Sequence, residues 1–351
     1  MVLRVIQWAT GGVGRAAIEH IVRHPDLELV GCWVHSPEKS GRDAGELAGL
    51  DPIGVRATDS TAEILALDAD CVLYSPLMPD ADEVRAILRS GKNVVTPLGW
   101  FWPTEKERAA MEPAALEGGV TLHGTGIDPG GATEQQPLFF SGLSSAITFV
   151  RGEEFSDIRT YNAPDVVRYI MGFGADPEKA KAGPMQGLLA RGFEQSVRMC
   201  LDTLGFADAE IRSNHEVAVA TAPIDSPAGV IEPGTVAAQR FAWEAFVGET
   251  KVVRVAVNWL MGEENLEPAW TFGPGGERFE IEVKGDPDCS AVIHGWHPAS
   301  VSAGLLRNPG IVVTAAHCVN SIPTVCAAPP GLLTFVDMPV VTGRAHPDLA
   351  G

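Results

Sequence analysis

The sequence predicts an α/β protein: a Rossmann doubly wound parallel sheet, then an α+β domain, then a carboxy-terminal helix that returns to the first domain. Three observations lead there. Val2 to Trp8 reads as a short buried strand that runs into Ala9-Thr10-Gly11-Gly12-Val13-Gly14, and this turn opens onto the helix-like Arg15-Ala16-Ala17-Ile18-Glu19-His20-Ile21-Val22. Strand-like and helix-like segments then alternate as far as His123, whereas strands dominate after Asp128. Finally, 351 residues exceed the length at which a single core stops growing, so two domains are expected.

The turn has the spacing G-x-G-x-x-G with Ala9 in the first slot. Gly11 lets the backbone approach a pyrophosphate, Gly14 lets the helix pack close to the strand, and the first amides of the helix face the phosphates. Thr10, Gly11, Gly12, Val13 and Gly14 are therefore expected to bind a dinucleotide. Strands are expected over Leu27 to Val34, Ala69 to Tyr74, Asn93 to Thr96 and Val120 to His123, and helices over Thr61 to Leu67, Ala81 to Ser90 and Thr104 to Glu117. A parallel sheet binds its ligand at the carboxyl ends of its strands, which places Ser75 and Pro76 beside the cofactor, with Thr96-Pro97-Leu98 and Gly124-Thr125-Gly126 nearby.

About 25 residues beyond the turn, an NAD-specific site would place an acidic residue on the ribose. This chain has His35 and Ser36, with Lys39 and Arg42 close behind. Those groups suit an adenosine 2′-phosphate, so NADP is the expected cofactor and NAD the alternative.

From Asp128 the reading is of helices over Ala132 to Leu143 and Pro184 to Leu204. Strands are expected over Ile147 to Glu154, His215 to Ala222, Val236 to Val247, Lys251 to Trp259, Arg278 to Lys284 and Ala291 to His294. The turn Gly248-Glu249-Thr250 suggests a hairpin. A last helix from about Ile311 to Asn320 is expected to return to the first domain. Gly124 to Gly131, with four Gly and one Pro, marks the sharpest boundary, giving domains 1–127 and 128–304 and a carboxy-terminal segment 305–351. Asp128, Glu154 and His294 are candidate proton carriers.

Composition removes other function classes. With 26 Lys and Arg against 45 Asp and Glu, the net charge of −19 repels phosphate backbones and anionic lipid, so neither nucleic acid nor a membrane is an expected partner. No export signal opens the chain, and no run approaches about 18 uninterrupted apolar residues. The six cysteines form no CxxC pair and no zinc-like cluster, which suits reduced thiols in the cytoplasm and no metal. Val313 to Cys318 copies the segment around the catalytic His of chymotrypsin-like proteases, but Ser321 is the only Ser after His317 and no Gly-Asp-Ser-Gly exists.

Taken together, the segments resemble the dihydrodipicolinate reductase-like oxidoreductases, in the branch with 2,4-diaminopentanoate dehydrogenase and the native amine dehydrogenases. The resemblance runs nearly end to end. It is carried by Ile6 to Arg15, His35-Ser36-Pro37, Gly41 to Gly45, Gly91 to Val95, Gly124 to Gly130, Met171-Gly172-Phe173-Gly174 and Asn320-Ser321-Ile322-Pro323. It implies nicotinamide-dependent reduction of a C=O or C=N bond in a small carbonyl or imine, with oxidation of an amine or alcohol in reverse. It further implies Asn320 near the nicotinamide, Tyr161 as a candidate proton donor, and a homodimer through the second sheet. One departure stands out. Amine-forming members carry a Glu soon after the Val94-Val95-Thr96 strand, and here Leu98-Gly99-Trp100-Phe101-Trp102-Pro103 holds no carboxylate. A non-catalytic cofactor-binding protein is therefore the rival reading, and the aromatic stretch suggests a hydrophobic substrate.

Overall fold

The computed structural model describes residues 2–183, 185–293, 308–345 and 347–349. The chain divides into two compact units, Met1–Ile127 with Ile311–Gly351, and Asp128–Gly310.

In the first unit, strands β1 (Leu3–Trp8), β2 (Leu27–Trp33), β3 (Ala57–Thr58), β4 (Cys71–Tyr74), β5 (Asn93–Thr96), β6 (Thr121–Gly124) and β14 (Gly331–Leu333) form one sheet in the order β14-β6-β5-β4-β1-β2-β3. Every pairing is parallel. Such a sheet must be covered on both faces, which explains why Val5, Ile6, Cys71, Val72, Leu73, Val94 and Val95 have no exposed surface. On one face α1 (Gly12–Arg23) and α9 (Pro309–Ala327) bury Ile18, Ile21, Cys318 and Ile322. On the other α4 (Ala81–Arg89) and α5 (Glu105–Gly118) bury Val84, Ile87, Leu88 and Met111. Each fully buried large side chain stabilises this unit by about 1.5–3 kcal/mol. The strand order reverses between β1 and β4, which opens a crevice at their carboxyl ends.

Sequence reasoning stopped the last helix at Asn320. In fact α9 continues past Pro323 to Ala327 and leads into β14, which pairs Gly331 with Thr121. The helix is long and apolar enough to cross a membrane by length and composition. Its apolar stripe is used here, since Ala315, Cys318, Val319, Ile322 and Val325 lie in the core of the parallel sheet. The short α2 (Ala44–Ala48) and α3 (Thr61–Ala66) complete the unit.

The second unit is built on strands β7 (Ser145–Asp157), β8 (Glu210–Ala220), β9 (Val236–Val247), β10 (Thr250–Leu260), β11 (Leu266–Glu267), β12 (Arg278–Asp286) and β13 (Cys289–Ile293), in the order β11-β8-β9-β10-β7-β12-β13. The sheet is mixed: β10 and β7 run parallel and the other pairs antiparallel. β9 and β10 form the hairpin expected from Gly248, whose φ of 58° places it in the left-handed region that favours glycine. Helix α8 (Met185–Leu204) covers the face that carries Phe241, Trp243, Val253, Val255 and Val257, with Phe193 stacked on Trp243 at 4.5 Å. The other face holds an ionic ladder in which Arg151 meets Glu153, Glu280 and Glu282, and Arg254 meets Glu153 and Glu244.

The expected helix over Ala132 to Leu143 is replaced by a wide turn of π-helical hydrogen bonding, Gly131–Gln135, followed by α6 (Gln136–Ser141). Pro137 has no amide to donate, which suits the first turn of a new helix better than the middle of an old one. The small α7 (Pro177–Lys181) precedes α8.

Candidate functional site

In the first unit the glycine turn has the shape needed to cradle a phosphate. A Cβ on Gly14 would lie 2.1 Å from the carbonyl oxygen of Ala9, so only glycine allows α1 to start this close to β1. A Cβ on Gly11 would meet nothing within 4 Å, which leaves open space in front of the turn. Gly11 is also the N-cap of α1 and no side chain caps the helix, so its first amides remain available to an anion.

Ala9 occupies the slot where glycine is usual and has φ 76°, a left-handed conformation that costs an alanine about 1 kcal/mol. Gln7 supports it from below. This fully buried amide donates to the carbonyls of Trp8 and Ala9 at 3.1 and 2.9 Å and to Ser75 Oγ at 2.9 Å, tying the turn to the end of β4. Gln7 has no place in the glycine spacing, and sequence reasoning missed it for that reason.

Lys39 bends back over the turn, its Nζ 3.4 Å from Thr10 Oγ1, while His35 is exposed and Ser36 half-buried at the end of β2. Thr10, Gly11, Gly12, Val13, Gly14, Ser75 and Lys39 are thus gathered at one end of the sheet, with Pro76 following Ser75. This set fits a dinucleotide. Asn320 lies further along α9: the helix touches the turn through Ile311 at Gly12, and nine residues on it has advanced about 14 Å. The Asn320 amide instead lies 3.8 Å from a Cβ placed on Gly343.

On the same helix His317 reaches the end of β6, where its Nδ1 is 2.8 Å from Thr125 Oγ1. Burial holds its pKa down at about 4, so the ring is neutral near pH 7. The protease-like segment is therefore a packed helix turn that orients Thr125. The stretch Leu98 to Pro103 crosses Gly124, where a Cβ would lie 2.0 Å from the carbonyl oxygen of Gly99. Phe101 is buried there, and Leu98 and Trp100 pack on the sheet core, Trp100 with a left-handed φ of 59°.

In the second unit Asp128, Glu154 and Tyr161 come together. Both side-chain oxygens of Asp128 are enclosed with no hydrogen-bond partner among the described residues, and the Glu154 carboxyl is near enough to act on them electrostatically. Two buried carboxyls this near one another resist being charged together. Burial, then the charge of Glu154, pushes Asp128 well above the usual carboxylate range. Burial raises Glu154 too, but the indole of Trp259 donates to its Oε2 at 3.0 Å, and Asp128 and Ser156 also favour its charged form. Both groups are thus held above the usual carboxylate range, Asp128 more strongly than Glu154. Burial pushes the half-buried Tyr161 up to about 12, with the charge of Glu154 adding to it, so its hydroxyl stays protonated near neutral pH.

A further carboxyl, Glu134, has no exposed surface and is pushed up to about 7 by burial. It falls within the helix expected over Ala132 to Leu143, and no spacing in the sequence marks it as a site residue. Glu277, pushed up to about 8 mainly by burial, accepts the amide of Asp157 near Glu154. His294 lies outside the described residues.

Comparison with known proteins agrees with this picture. Residues 138–347 match the 2,4-diaminopentanoate dehydrogenase C-terminal domain, and residues 5–108 match the amino-terminal domain of dihydrodipicolinate reductase. An amine dehydrogenase of Streptomyces virginiae is 33% identical, over 96% of this chain and 96% of its own. The 2,4-diaminopentanoate dehydrogenase of Acetoanaerobium sticklandii is 24% identical, over 96% and 94%. The structure of an amine dehydrogenase from Mycobacterium smegmatis has the same fold, with a TM-score of 0.79 over 97% of both chains at 21% identity. The chain accordingly belongs to the dihydrodipicolinate reductase-like family of NAD(P)-dependent oxidoreductases, in the branch defined by the 2,4-diaminopentanoate dehydrogenase C-terminal domain.

Proposed function

We propose that the protein reduces a C=O or C=N bond of a small hydrophobic carbonyl compound or imine with NADP as its cofactor, NAD being the alternative, and oxidises the matching amine or alcohol in reverse. The observation that carries this reading is the buried carboxyl pair Asp128 and Glu154 beside Tyr161, both held above the usual carboxylate range. When bound, the nicotinamide supplies or accepts the hydride.

Thr10 to Gly14 and the first amides of α1 would hold the pyrophosphate, with Ser75 and Pro76 beside it, and His35, Ser36 and Lys39 would take the 2′-phosphate. The second unit handles the proton. The half-buried Tyr161 gives its hydroxyl proton to the oxygen or nitrogen of the bond being reduced, and the Asp128–Glu154 pair restores it. In reverse the charge on Glu154 draws the proton off an ammonium. This pair offers the acid and base functions that Leu98 to Pro103 lacks. The half-buried Leu98, Trp100 and Trp102 support a hydrophobic substrate. The family resemblance supports a homodimer through the second sheet, and six unpaired cysteines suit a reducing cytoplasm.

The test is hydride consumption from NADPH and NADH with a panel of aliphatic, cyclic and aryl ketones and aldehydes, each with and without ammonia. Turnover of a hydrophobic member, faster with NADPH, is expected, and dependence on ammonia identifies amine formation. Cofactor binding with no turnover on any member would overturn the proposal in favour of a non-catalytic cofactor-binding protein.

A further inference from the structure

Behind the Asp128–Glu154 pair lies a third carboxyl, which the reaction above does not use. We propose that Glu134 is a positioning residue for this pair: it fixes the turn that carries Asp128 and, through its charge, keeps the proton on Asp128. The inference rests on the function proposed above.

The geometry begins at Gly130, two residues after Asp128. Its amide donates to Glu134 Oε2 at 3.0 Å and to Thr133 Oγ1 at 2.9 Å, and the Thr133 hydroxyl donates to the same Glu134 oxygen. Ser196 of α8 holds the other side, its Oγ 3.5 Å from Thr133 Oγ1. This knot is pressed onto β7 at Gly152, where a Cβ would lie 2.5 Å from the carbonyl oxygen of Ala132. Gly152 and Glu154 are two residues apart and share one face of β7. The face that carries Glu154 is thus the face that receives the turn of Glu134.

The surroundings explain why the charge matters. Among the described residues, the titratable groups facing this corner are Asp128 from the turn, Glu154 from β7 and Cys200 from α8, and the charge of Glu154 acts in turn on Tyr161 and Glu277. All are acids. Glu134 Oε1 is enclosed without a hydrogen-bond partner among the described residues, while Oε2 receives the Gly130 amide and the Thr133 hydroxyl. Its hydrogen bonds from Thr133, Ser196 and the Gly130 amide keep the group ionisable near neutral pH despite complete burial. A negative charge there raises the cost of removing the Asp128 proton. A mere strut would need the hydrogen bonds and not the charge.

The experiment separates the two. Glu134→Gln keeps an acceptor for Gly130 and a similar shape but has no charge, and Ser196→Ala weakens the charged form of Glu134 more gently. Carbon-13 NMR of protein labelled at the aspartate carboxyls reports the titration midpoint of Asp128, whose signal is identified by its loss in Asp128→Asn. The midpoint is expected to fall by about one unit in Glu134→Gln, and by less in Ser196→Ala. The alkaline limb of kcat/KM for carbonyl reduction should move to lower pH by the same amount. An unmoved midpoint in both variants, or a uniform loss of activity with no displaced limb, would overturn the inference and leave Glu134 as a strut. If Asp128→Asn and Glu154→Gln turn over at the wild-type rate, the functional reading itself falls and this role falls with it, whatever the midpoint does.

Discussion

Glu134→Gln is predicted to stabilise the protein above neutral pH and to do so far less in acid. An unfolded Glu releases its proton near 4.5, whereas the buried Glu134 holds it to about 7. Between these values the folded chain binds more protons than the unfolded one, so the contribution of Glu134 to stability falls as pH rises. It is fully present below about 4.5 and lost once the pH passes about 7. A gap of about 2.5 units, at about 1.4 kcal/mol for each, amounts to about 3 kcal/mol. Gln does not titrate, so the variant escapes this loss. Asp128, Glu154 and Glu277 are raised as well and make wild type and variant alike less stable in base, and the lower Asp128 midpoint expected in the variant adds to its gain there. Urea unfolding of both proteins at about pH 5 and about pH 8 measures the difference, and the gain should be greater at the higher pH by about 2–3 kcal/mol. An equal gain or loss at both pH values would refute the reasoning.

Three further changes probe the rest of the site. Lys39→Ala should lower affinity for NADP about tenfold and leave NAD almost unchanged, as read by calorimetric titration; equal losses would remove the 2′-phosphate from the role of Lys39. Gly14→Ala places a Cβ 2.1 Å from the Ala9 carbonyl and should cost about 1–3 kcal/mol in thermal or urea unfolding while weakening both cofactors, so unchanged binding would contradict the cradle. Trp259→Phe removes the 3.0 Å hydrogen bond to Glu154 and should cost about 1–3 kcal/mol near neutral pH and less in acid, where Glu154 is protonated; a loss independent of pH would mean that packing alone was removed.

The Rossmann half could be read from the sequence because each of its signals is local. A glycine turn between a strand and a helix, and the alternation after it, depend on neighbours a few residues apart, and the observed strands fall where those signals lie. The hairpin at Gly248 belongs to the same class. Where the determining contact is distant, the sequence was silent. Nothing local near Gly331 announces that this segment will pair with Thr121, and nothing near Asn320 announces that α9 will continue past a proline because a core awaits its apolar stripe. The acid site divides in the same way. Asp128 was visible at a Gly- and Pro-rich boundary. Its partnership with Glu154 depends on β7 folding back against the turn, and the burial of Glu134 depends on α8, some 60 residues away at Ser196.

The proposed role of the buried Asp128–Glu154 pair is tested most directly by single-turnover hydride transfer. Enzyme preloaded with NADPH is mixed with a carbonyl substrate found in the panel, and the loss of NADPH absorbance is followed for wild type and Asp128→Asn, with NADPH affinity measured alongside. The account predicts hydride transfer slowed by about a hundredfold or more in the variant, with NADPH affinity unchanged because the Gly11–Gly14 cradle belongs to the other unit. Transfer at the wild-type rate would contradict it.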